Sequence, residues 1–522
     1  MSKSETNPTI TDFLEEIVHL DLPIHSETSS VVIAKSNMSD RGTILVVMGA
    51  SGDLARKSIY PALWSLYMHD LLPANTFIVG FARSKISIAD ILDKAFSPTE
   101  QEHAKFPGFS GINFYEYGSY SDAEESLLLS LRFDSIEEHF RQKHLSGHNR
   151  IFYVALPPSV YQSVTTLIKQ VWMAPGEGKT TLVLEKPFGT NLGSCDELSD
   201  HLSDLFQSEQ IRLVDHYLWL EMTGTIMTVR SVNSLFSQIW DKNFISSVLI
   251  SFKEDFGTQG RGGYFDKSGI IRDVMQNHLL QLLCVVAMEI PCGCSQESAI
   301  IEKSKLLEAI SPIDPDEVVL GQYIGNSDRE DGYLDDPTVP DDSLTPTFAT
   351  IVFHINNDRW KGVPFIMTAG KALNETKDEI RIQFKSSLME DIGLDLKRNE
   401  LVFQIKPVEN VAMNVIINEP GLSPRLIEDR LSLDLRKHFS NHRFPDAYEN
   451  LFAHLLGDGQ SIGSFVGAEE LRISWEIFSP LLEKIESEQW KPIPYKFGSS
   501  GPVKAGQLIQ AKGFKGFETH LL

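Results

Sequence analysis

A glycine-containing turn near the start of the chain could bind the pyrophosphate of a dinucleotide. It reads Gly49-Ala50-Ser51-Gly52-Asp53-Leu54-Ala55 and separates a continuous apolar run, residues 43–48, from a predicted helix. Glycines let the backbone approach the phosphates, whose charge meets free N–H groups at the helix N-terminus. A tight strand-to-helix turn without a ligand also fits this pattern, but its place after the first buried strand favours a dinucleotide. The candidate ligands are Gly49, Ser51, Gly52, Asp53 and Leu54.

The residues that end the second predicted strand indicate which dinucleotide would bind. Arg83-Ser84-Lys85 follow the apolar run 77–81, and no acidic residue stands there. An acid at this place would bind the ribose hydroxyls of NAD, whereas an arginine suits the 2′-phosphate of NADP. The separation from Gly49 is longer than the usual fingerprint, so the residue type and not the spacing predicts NADP.

His278 is a candidate for acid–base chemistry. It lies in a predicted helix over residues 270–288, whose apolar stripe includes Ile271, Val274 and Leu279. A neutral imidazole there could take the proton from a hydroxyl that is being oxidised. From periodicity alone, a core histidine without a catalytic role is the favoured interpretation.

The elements that position these residues predict two domains of different class. Apolar runs at 43–48, 77–81, 150–155 and 180–184 alternate with helical segments, which is typical of a doubly wound parallel sheet. We therefore expect an α/β, Rossmann-like NADP-binding domain over residues 41–213. From 214 to 522, longer β-rich stretches predict an α+β domain with a mainly antiparallel sheet: 247–252, 347–355, 379–384, 401–405 and 411–417. Residues 1–40 read as a polar tail.

The net charge and the cysteine content limit which binding partners and which cell compartment are expected. The net charge of −24 disfavours nucleic acid and anionic membranes, and any phosphorylated ligand needs a local cluster of cations. The apolar run 279–290 is too short to span a bilayer. Four cysteines are too few for a disulfide scaffold, and the lone pair Cys292 and Cys294 does not predict a metal site. With an acidic N-terminus that is unlike a transit peptide, the chain is predicted to be cytoplasmic.

Several segments together carry a resemblance to a known family. In order and approximate spacing, from about residue 43 to residue 511, the chain resembles glucose-6-phosphate dehydrogenases. The matching segments are Gly49 to Ala55, Gly80-Phe81-Ala82-Arg83-Ser84, Glu185-Lys186-Pro187-Phe188-Gly189, Asp215-His216-Tyr217-Leu218-Trp219-Leu220-Glu221, Gly257 to Asp266, Arg272 to His278, and Gly370-Lys371-Ala372-Leu373-Asn374.

The resemblance assigns expected roles to individual residues. His278 matches the general base, Asp215 the carboxylate that orients it, and Lys186 the lysine that bridges substrate and coenzyme. Sugar-hydroxyl ligands match Glu254 and Asp273, and Lys371 matches a further substrate contact. His216 and Tyr217 match contacts to the sugar phosphate, while Tyr153 and Arg83 match coenzyme positions. The family also implies a homodimer or homotetramer.

The chain departs from the family pattern where the substrate phosphate is held. The signature D-H-Y-L-G-K-E reads D-H-Y-L-W-L-E here, so Trp219 replaces a glycine and Leu220 replaces a lysine. Ser58 and Thr376 also occupy positions that are commonly basic in the family. One charge-assisted hydrogen bond contributes roughly 1.5–3 kcal/mol, or about one to two decades in affinity.

Three functions fit this combination of retained and lost residues. The first is NADP-dependent oxidation of glucose 6-phosphate at C1 to 6-phosphogluconolactone, with weakened phosphate binding. The second keeps this chemistry but uses an unphosphorylated sugar such as glucose. The third is a catalytically impaired paralogue that acts as a regulatory or binding subunit.

Overall fold

The computed structural model describes residues 41–97, 99, 102–145, 147–292, 295–326, 330–385, 398–422, 425–457 and 465–516. The predicted tail, residues 1–40, and Cys294 lie outside these ranges. The described residues divide into two units. The first comprises 41–185, 198–214 and 448–457, and the second comprises 186–197, 215–447 and 465–516 within the described ranges. The functional boundary between residues 213 and 214 stays a prediction.

The first unit contains a six-stranded parallel sheet. Its strands are β1 (Arg41–Met48), β2 (Thr76–Ala82), β3 (Asn113–Tyr117), β4 (Gly147–Val154), β5 (Thr180–Glu185) and β6 (Ile211–Val214). Their spatial order is β3-β2-β1-β4-β5-β6, so the direction in which strands are added reverses beside β1. A crevice at the carboxyl ends of strands next to such a reversal is where doubly wound sheets bind dinucleotides. The predicted Rossmann-like sheet is confirmed.

The second unit contains a nine-stranded mixed sheet. Its strands are β7 (Ile245–Lys253), β8 (Val318–Ile324), β9 (Phe348–His354), β10 (Pro364–Gly370), β11 (Lys377–Phe384), β12 (Glu400–Lys406), β13 (Asn410–Asn418), β14 (Leu426–Asp434) and β15 (Ile493–Lys496). Their order is β14-β13-β12-β11-β7-β10-β9-β8-β15. Only the β7–β10 and β8–β15 pairs are parallel within the described residues. The prediction of a mainly antiparallel sheet is therefore confirmed.

Helices accompany both sheets. The longer ones are Tyr60–Met68, Ile88–Ala95, Leu127–Gln142, Tyr161–Val171, Leu192–Leu205, Glu221–Val232, Leu280–Ala287, Gln296–Glu308, Ala447–Leu456, Ala468–Ser487 and Val503–Ala511. In the second unit, Ile509 and Phe514 pack on sheet residues Leu249, Val352 and Ile366 in a fully buried core cluster. No helix in the described part of the chain is long and apolar enough to cross a membrane.

Two helices begin with π-helical turns. Residues Ala55–Ile59 precede helix Tyr60–Met68, and residues Ile271–Leu279 precede helix Leu280–Ala287. The second π-helical turn and the helix that follows it together correspond to the single helix predicted over 270–288. A π turn has hydrogen bonds between residues i and i+5, and such turns occur frequently at functional sites. Both turns here contain or adjoin predicted site residues.

Candidate active site

In the first unit, the turn after β1 requires a glycine. Gly49 has a φ of +89°, and a Cβ placed there would lie 2.4 Å from the carbonyl oxygen of Ala155. The N–H of Gly52 donates to the carbonyl of Gly49 at 2.9 Å, which tightens the turn. Ser51 and Gly52 are exposed immediately before the helix. The turn therefore has the open backbone and helix N-terminus that suit a pyrophosphate.

Substituting Gly49 with alanine should destabilise the first unit. The left-handed backbone costs about 1–3 kcal/mol for a residue with a side chain, and the contact with the Ala155 carbonyl adds to that cost. We expect a lower Tm together with weaker NADP binding. Gly111→Ala is the matched control, because a Cβ there meets no atom within 4 Å. Thermal unfolding would check this, and equal Tm values for the two variants would contradict it.

Cations lie at the end of β2, as the sequence predicts. Arg83 is exposed, and its guanidinium carbon lies 5.9 Å from the centre of the Tyr120 ring. The Lys85 ammonium lies 5.0 Å from the centre of the Tyr117 ring. Two partly solvated cations supported on aromatic rings, with no carboxylate among residues 83–87, suit a phosphate better than ribose hydroxyls.

The remaining predicted coenzyme residues differ in accessibility. Asp53 is exposed and accepts a hydrogen bond from Arg56 at 2.7 Å, while Leu54 is half-buried. Tyr153, by contrast, is fully buried in β4, and its hydroxyl donates to the Glu185 carboxylate. Because β4 is an interior strand, this side chain packs in the core of the unit. The coenzyme contact expected of Tyr153 stays a prediction, and its backbone, not its buried side chain, would have to make it.

In the second unit, Asp215 and His278 form a buried pair. The Asp215 Oδ1 lies 2.6 Å from His278 Nδ1, and both side chains are almost fully buried. Asp215 follows β6 and caps the short 3-10 helix His216–Trp219, accepting the Tyr217 N–H at 3.0 Å. The capping role and the pairing role are compatible, because one carboxylate oxygen accepts both hydrogen bonds. The geometry brings together two predicted residues that are 63 positions apart.

The π turn determines which residues share a face with His278. In a regular α-helix, residues three or four positions apart lie on one face. Asp273 and His278 are five positions apart, and the wider turn over Ile271–Leu279 brings such residues closer to one face. Asp273 acts electrostatically on His278. The π-helical turn thus carries both Asp273, the predicted sugar ligand, and His278, the predicted base.

Burial controls the protonation of this pair. Burial lowers the pKa of His278 from its ordinary value of 6.5, and Lys186 adds to this effect, although the Asp215 charge opposes it. For Asp215, burial alone would raise the pKa, but the charge and hydrogen bond of His278, together with His216 and the Tyr217 N–H, lower it to about 2. At neutral pH the pair is therefore a carboxylate hydrogen-bonded to a neutral imidazole. That is the state a proton acceptor requires.

Two lysine–carboxylate pairs lie in the same unit as Asp215 and His278. Lys186 Nζ donates to the backbone carbonyl of Asp273 at 2.7 Å and lies 3.4 Å from its carboxylate. Lys371 Nζ donates to Glu254 at 2.5 Å. Lys186 and Asp273 are partly exposed, and Glu254 is partly exposed beside the almost buried Lys371, so polar groups of a sugar can reach both pairs.

Sheet geometry explains why Glu254 and Lys371 meet. Glu254 directly follows β7, and Lys371 directly follows β10, which is parallel to β7 with Gly370 opposite Lys253. Parallel neighbours end at the same edge of a sheet, so the next residue of each strand lies side by side. The Glu254 N–H donates to the carbonyl of Gly370 at 3.0 Å and fixes this arrangement.

His216 and Tyr217 both contact His278. The Tyr217 ring stacks on the His278 ring with centres 4.4 Å apart, and the His216 ring packs edge-on at 4.6 Å. Burial and the His278 charge lower the pKa of His216 well below its ordinary range. The Tyr217 hydroxyl, predicted to contact phosphate, donates to Asp378 Oδ2 at 2.7 Å. Its proton is therefore engaged within the protein.

Asp378 and Lys406 are site residues that the sequence did not reveal. They are paired across β11 and β12, and Lys406 Nζ lies 3.1 Å from both Asp378 Oδ2 and the Tyr217 hydroxyl. Both are more than 150 positions from Tyr217 in the chain. Asp378 lies among other charged residues, so neither its type nor its spacing separates it from a solvated strand residue.

Two models of one protein family match most of the chain. The NAD binding domain of glucose-6-phosphate dehydrogenase matches residues 46–224, and the C-terminal domain of glucose-6-phosphate dehydrogenase matches residues 227–517. The chain is 44% identical to a glucose-6-phosphate 1-dehydrogenase 2 of Mus musculus over 479 residues, covering 90% of this chain and 92% of that protein. The chain belongs to the glucose-6-phosphate dehydrogenase family.

Other members of the glucose-6-phosphate dehydrogenase family are similar over the same extent. A glucose-6-phosphate 1-dehydrogenase of Drosophila melanogaster is 43% identical over 514 residues, covering 96% of both chains. A solved glucose-6-phosphate dehydrogenase in complex with its substrate glucose 6-phosphate is 40% identical, with a TM-score of 0.84. It covers 91% of this chain and 98% of that chain. A Mycobacterium avium structure is 28% identical, with a TM-score of 0.73, and covers 90% and 98%.

The residues that depart from the glucose-6-phosphate dehydrogenase signature have defined environments. The Trp219 indole is buried and packs edge-on against Phe465, with ring centres 5.1 Å apart. Leu220 is half-buried where the 3-10 helix ends. Thr376 bonds Asp255, accepting its N–H and donating to its carboxylate at 2.6 Å. Trp219 is thus a packing residue of the second unit, and Leu220 leaves the motif without a cation.

The donor atoms of Asp215, His216 and His278 also lie within 4.8 Å of one another, a spacing that could suit a metal ion. A metal bound through His278 Nδ1 would have to replace the 2.6 Å hydrogen bond to Asp215. That hydrogen bond suits the acid–base role predicted for Asp215 and His278. We therefore assign no metal to the cluster.

Proposed function

We propose that the protein oxidises glucose 6-phosphate at C1 to 6-phosphogluconolactone with NADP as the oxidant. The observation that carries this proposal is the buried 2.6 Å Asp215–His278 hydrogen bond, in a chain 44% identical to glucose-6-phosphate 1-dehydrogenases. Relatives bearing that name support the reaction, and a solved relative that binds glucose 6-phosphate supports the substrate. The reaction contributes NADPH and belongs to oxidative glucose metabolism.

His278 accepts the proton of the C1 hydroxyl. Its Nδ1–H is held by Asp215, which leaves the Nε2 lone pair as the acceptor. Asp215 then balances the positive charge that forms on the imidazole. NADP, when bound, supplies the nicotinamide that accepts the hydride from C1. Loss of this proton and hydride converts the hydroxyl into the carbonyl of the lactone.

Other residues bind the two reactants. Glu254 and Asp273 accept hydrogen bonds from sugar hydroxyls, and Lys371 and Lys186 hold these carboxylates in place while presenting their own N–H groups. For the coenzyme, the turn Gly49–Leu54 binds the pyrophosphate, and Arg83 binds the 2′-phosphate. Residues 41–213 would then be the coenzyme domain, and residues 214–522 the substrate and dimerisation domain.

The pH dependence of kcat should show the titration of His278. The base acts only when it is neutral, and burial lowers its pKa below 6.5. Activity should therefore persist as the pH falls to 6.5 and decline below that value. The substrate phosphate titrates near pH 6, so glucose 6-sulfate, whose ester does not titrate there, is the control. A decline that begins above pH 7 with both esters would contradict the assignment.

Steady-state kinetics with four substrate and coenzyme pairs would test the function. Glucose 6-phosphate and glucose should each be assayed with NADP and with NAD. We expect the highest kcat/KM for glucose 6-phosphate with NADP. A higher kcat/KM for glucose would indicate an unphosphorylated substrate, and no turnover of either sugar despite NADP binding would indicate an impaired paralogue.

We further propose a homodimer or homotetramer in the cytoplasm. Strand β14 exposes large apolar side chains, including Leu426, Leu431 and Leu433, which a second copy could cover. Cys284 and Cys292 are thiols, which supports a reducing compartment. Light scattering coupled to size exclusion would measure the assembly, and a monomer at micromolar concentration would exclude both oligomers.

A further inference from the structure

The second unit lacks a cation in the segment expected to hold the substrate phosphate. Between Asp215 and Glu221 there is no lysine or arginine. Two other lysines of this unit lie against the carboxylates predicted to bind sugar hydroxyls, Lys186 beside Asp273 and Lys371 beside Glu254. A phosphate dianion needs charge-assisted hydrogen bonds to compensate for its lost hydration. Another cation beside His216 and Tyr217 would meet this requirement.

Lys406 lies beside these two residues. It is the last residue of β12, and its ammonium lies 3.1 Å from the Tyr217 hydroxyl and 5.3 Å from the centre of the Tyr217 ring. It also lies 5.7 Å from the centre of the Phe252 ring. The His216 ring packs edge-on against the Tyr217 ring with centres 5.1 Å apart, and the charge of Lys406 contributes to the lowered pKa of His216.

The ammonium of Lys406 can accept a further ligand. A lysine has three N–H donors. Among the described residues, the hydrogen-bonding partners of Lys406 are Tyr217 and Asp378, which leaves one donor. The side chain is 46% exposed, whereas its partner Asp378 is 2% exposed. The arrangement holds the cation at the surface while a buried carboxylate and two aromatic rings fix its position.

We propose that Lys406 is the phosphate-binding cation of this protein and takes the place of the lysine that Leu220 replaces. The inference rests on the proposed function, since it assigns a ligand to the phosphate of that substrate. The phosphate would receive N–H groups from Lys406 and His216. Asp378 and Tyr217 act as positioning residues, because they hold Lys406 and do not themselves need to touch the substrate.

Lys406→Met tests this proposal by a split between KM and kcat. Loss of one charge-assisted hydrogen bond predicts a KM for glucose 6-phosphate that rises roughly 10- to 100-fold. The kcat should change much less, because the hydrogen-bonding partners of Lys406 are Tyr217 and Asp378, and not the proposed base His278 or its partner Asp215. Lys361→Met, an exposed lysine of the same unit, is the matched control. A KM within twofold of the wild type would overturn the proposal.

A rescue experiment separates charge from structure. Leu220→Lys in the Lys406→Met background restores a cation one turn from Tyr217, so the KM should return towards the wild-type value. Lys406→Arg should retain most of the affinity. If Lys406→Arg and Lys406→Met raise the KM equally and both lower the Tm, the residue is only structural and the proposal fails.

Chemical labelling of the wild-type protein tests the contact without any substitution. Glucose 6-phosphate should protect Lys406, but not Lys361, from amine acylation measured by mass spectrometry, and glucose should protect neither. Equal labelling of Lys406 with and without the phosphate ester would overturn the inference. A wild-type protein that does not oxidise glucose 6-phosphate would instead contradict the proposed function, so the two failures are distinguishable.

Discussion

Replacing His278 with asparagine is expected to lower kcat by about 10²–10⁴-fold, the usual contribution of a general base. Asparagine retains a donor that can reach Asp215 near the position of Nδ1, but it has no equivalent of the Nε2 lone pair. The buried Asp215 carboxylate therefore keeps a partner, and the loss is specific to proton transfer. Steady-state kinetics with glucose 6-phosphate and NADP would measure it.

The matched control for this substitution is His354→Asn. His354 belongs to the same unit, has a 44% exposed side chain, pairs with Glu317 and has no part in the proposed reaction. Its kcat should stay near the wild-type value, and both variants should bind NADP with ordinary affinity. A His278→Asn protein with wild-type kcat would show that another group accepts the proton.

Replacing Asp215 with asparagine should lower kcat by a similar factor through a different cause. The amide nitrogen of asparagine would donate to His278 Nδ1, which forces the imidazole proton onto Nε2 and removes the acceptor. The carboxylate also raises the pKa of His278, so its loss lowers that pKa further. The remaining activity should therefore decline at a lower pH than in the wild type.

The direction in which the acid limb of the pH profile moves distinguishes loss of the Asp215 charge beside His278 from a general disturbance of the structure. Asp358→Asn, an exposed aspartate of the same unit, is the control and should retain both kcat and the wild-type pH profile. If Asp215→Asn lowered kcat but left the acid limb where it was, the electrostatic link to His278 would be wrong. A shift towards higher pH would contradict it most strongly.

Much of the fold could be predicted because buried strands consist of continuous apolar residues, which are visible in the sequence. The strands predicted over 77–81 and 180–184 correspond to β2, Thr76–Ala82, and β5, Thr180–Glu185. Strands covered on both faces must be apolar along their length, so their position in the sequence is clear. The helix predicted over 270–288 is also present, but periodicity gave no sign of its π turn.

The candidate site was only partly predictable, for reasons of distance and environment. Asp215 and His278 were found through a family resemblance, because nothing in the local sequence joins residues 63 positions apart. Tyr153 was predicted to contact the coenzyme, but its side chain is buried in β4. Lys406 lies near Tyr217 because β12 pairs with β11, which places Lys406 opposite Asp378. Such long-range strand pairing cannot be read from the spacing of residues in the sequence.

The most direct test of the proposed oxidation at C1 is to follow the hydrogen that leaves this carbon. The wild-type protein should be incubated with glucose 6-phosphate deuterated at C1 and with NADP, and the products analysed by mass spectrometry. We expect the NADPH to carry the deuterium and the sugar product to be 6-phosphogluconolactone without it. NADPH without deuterium, or no NADPH at saturating substrate, would contradict it.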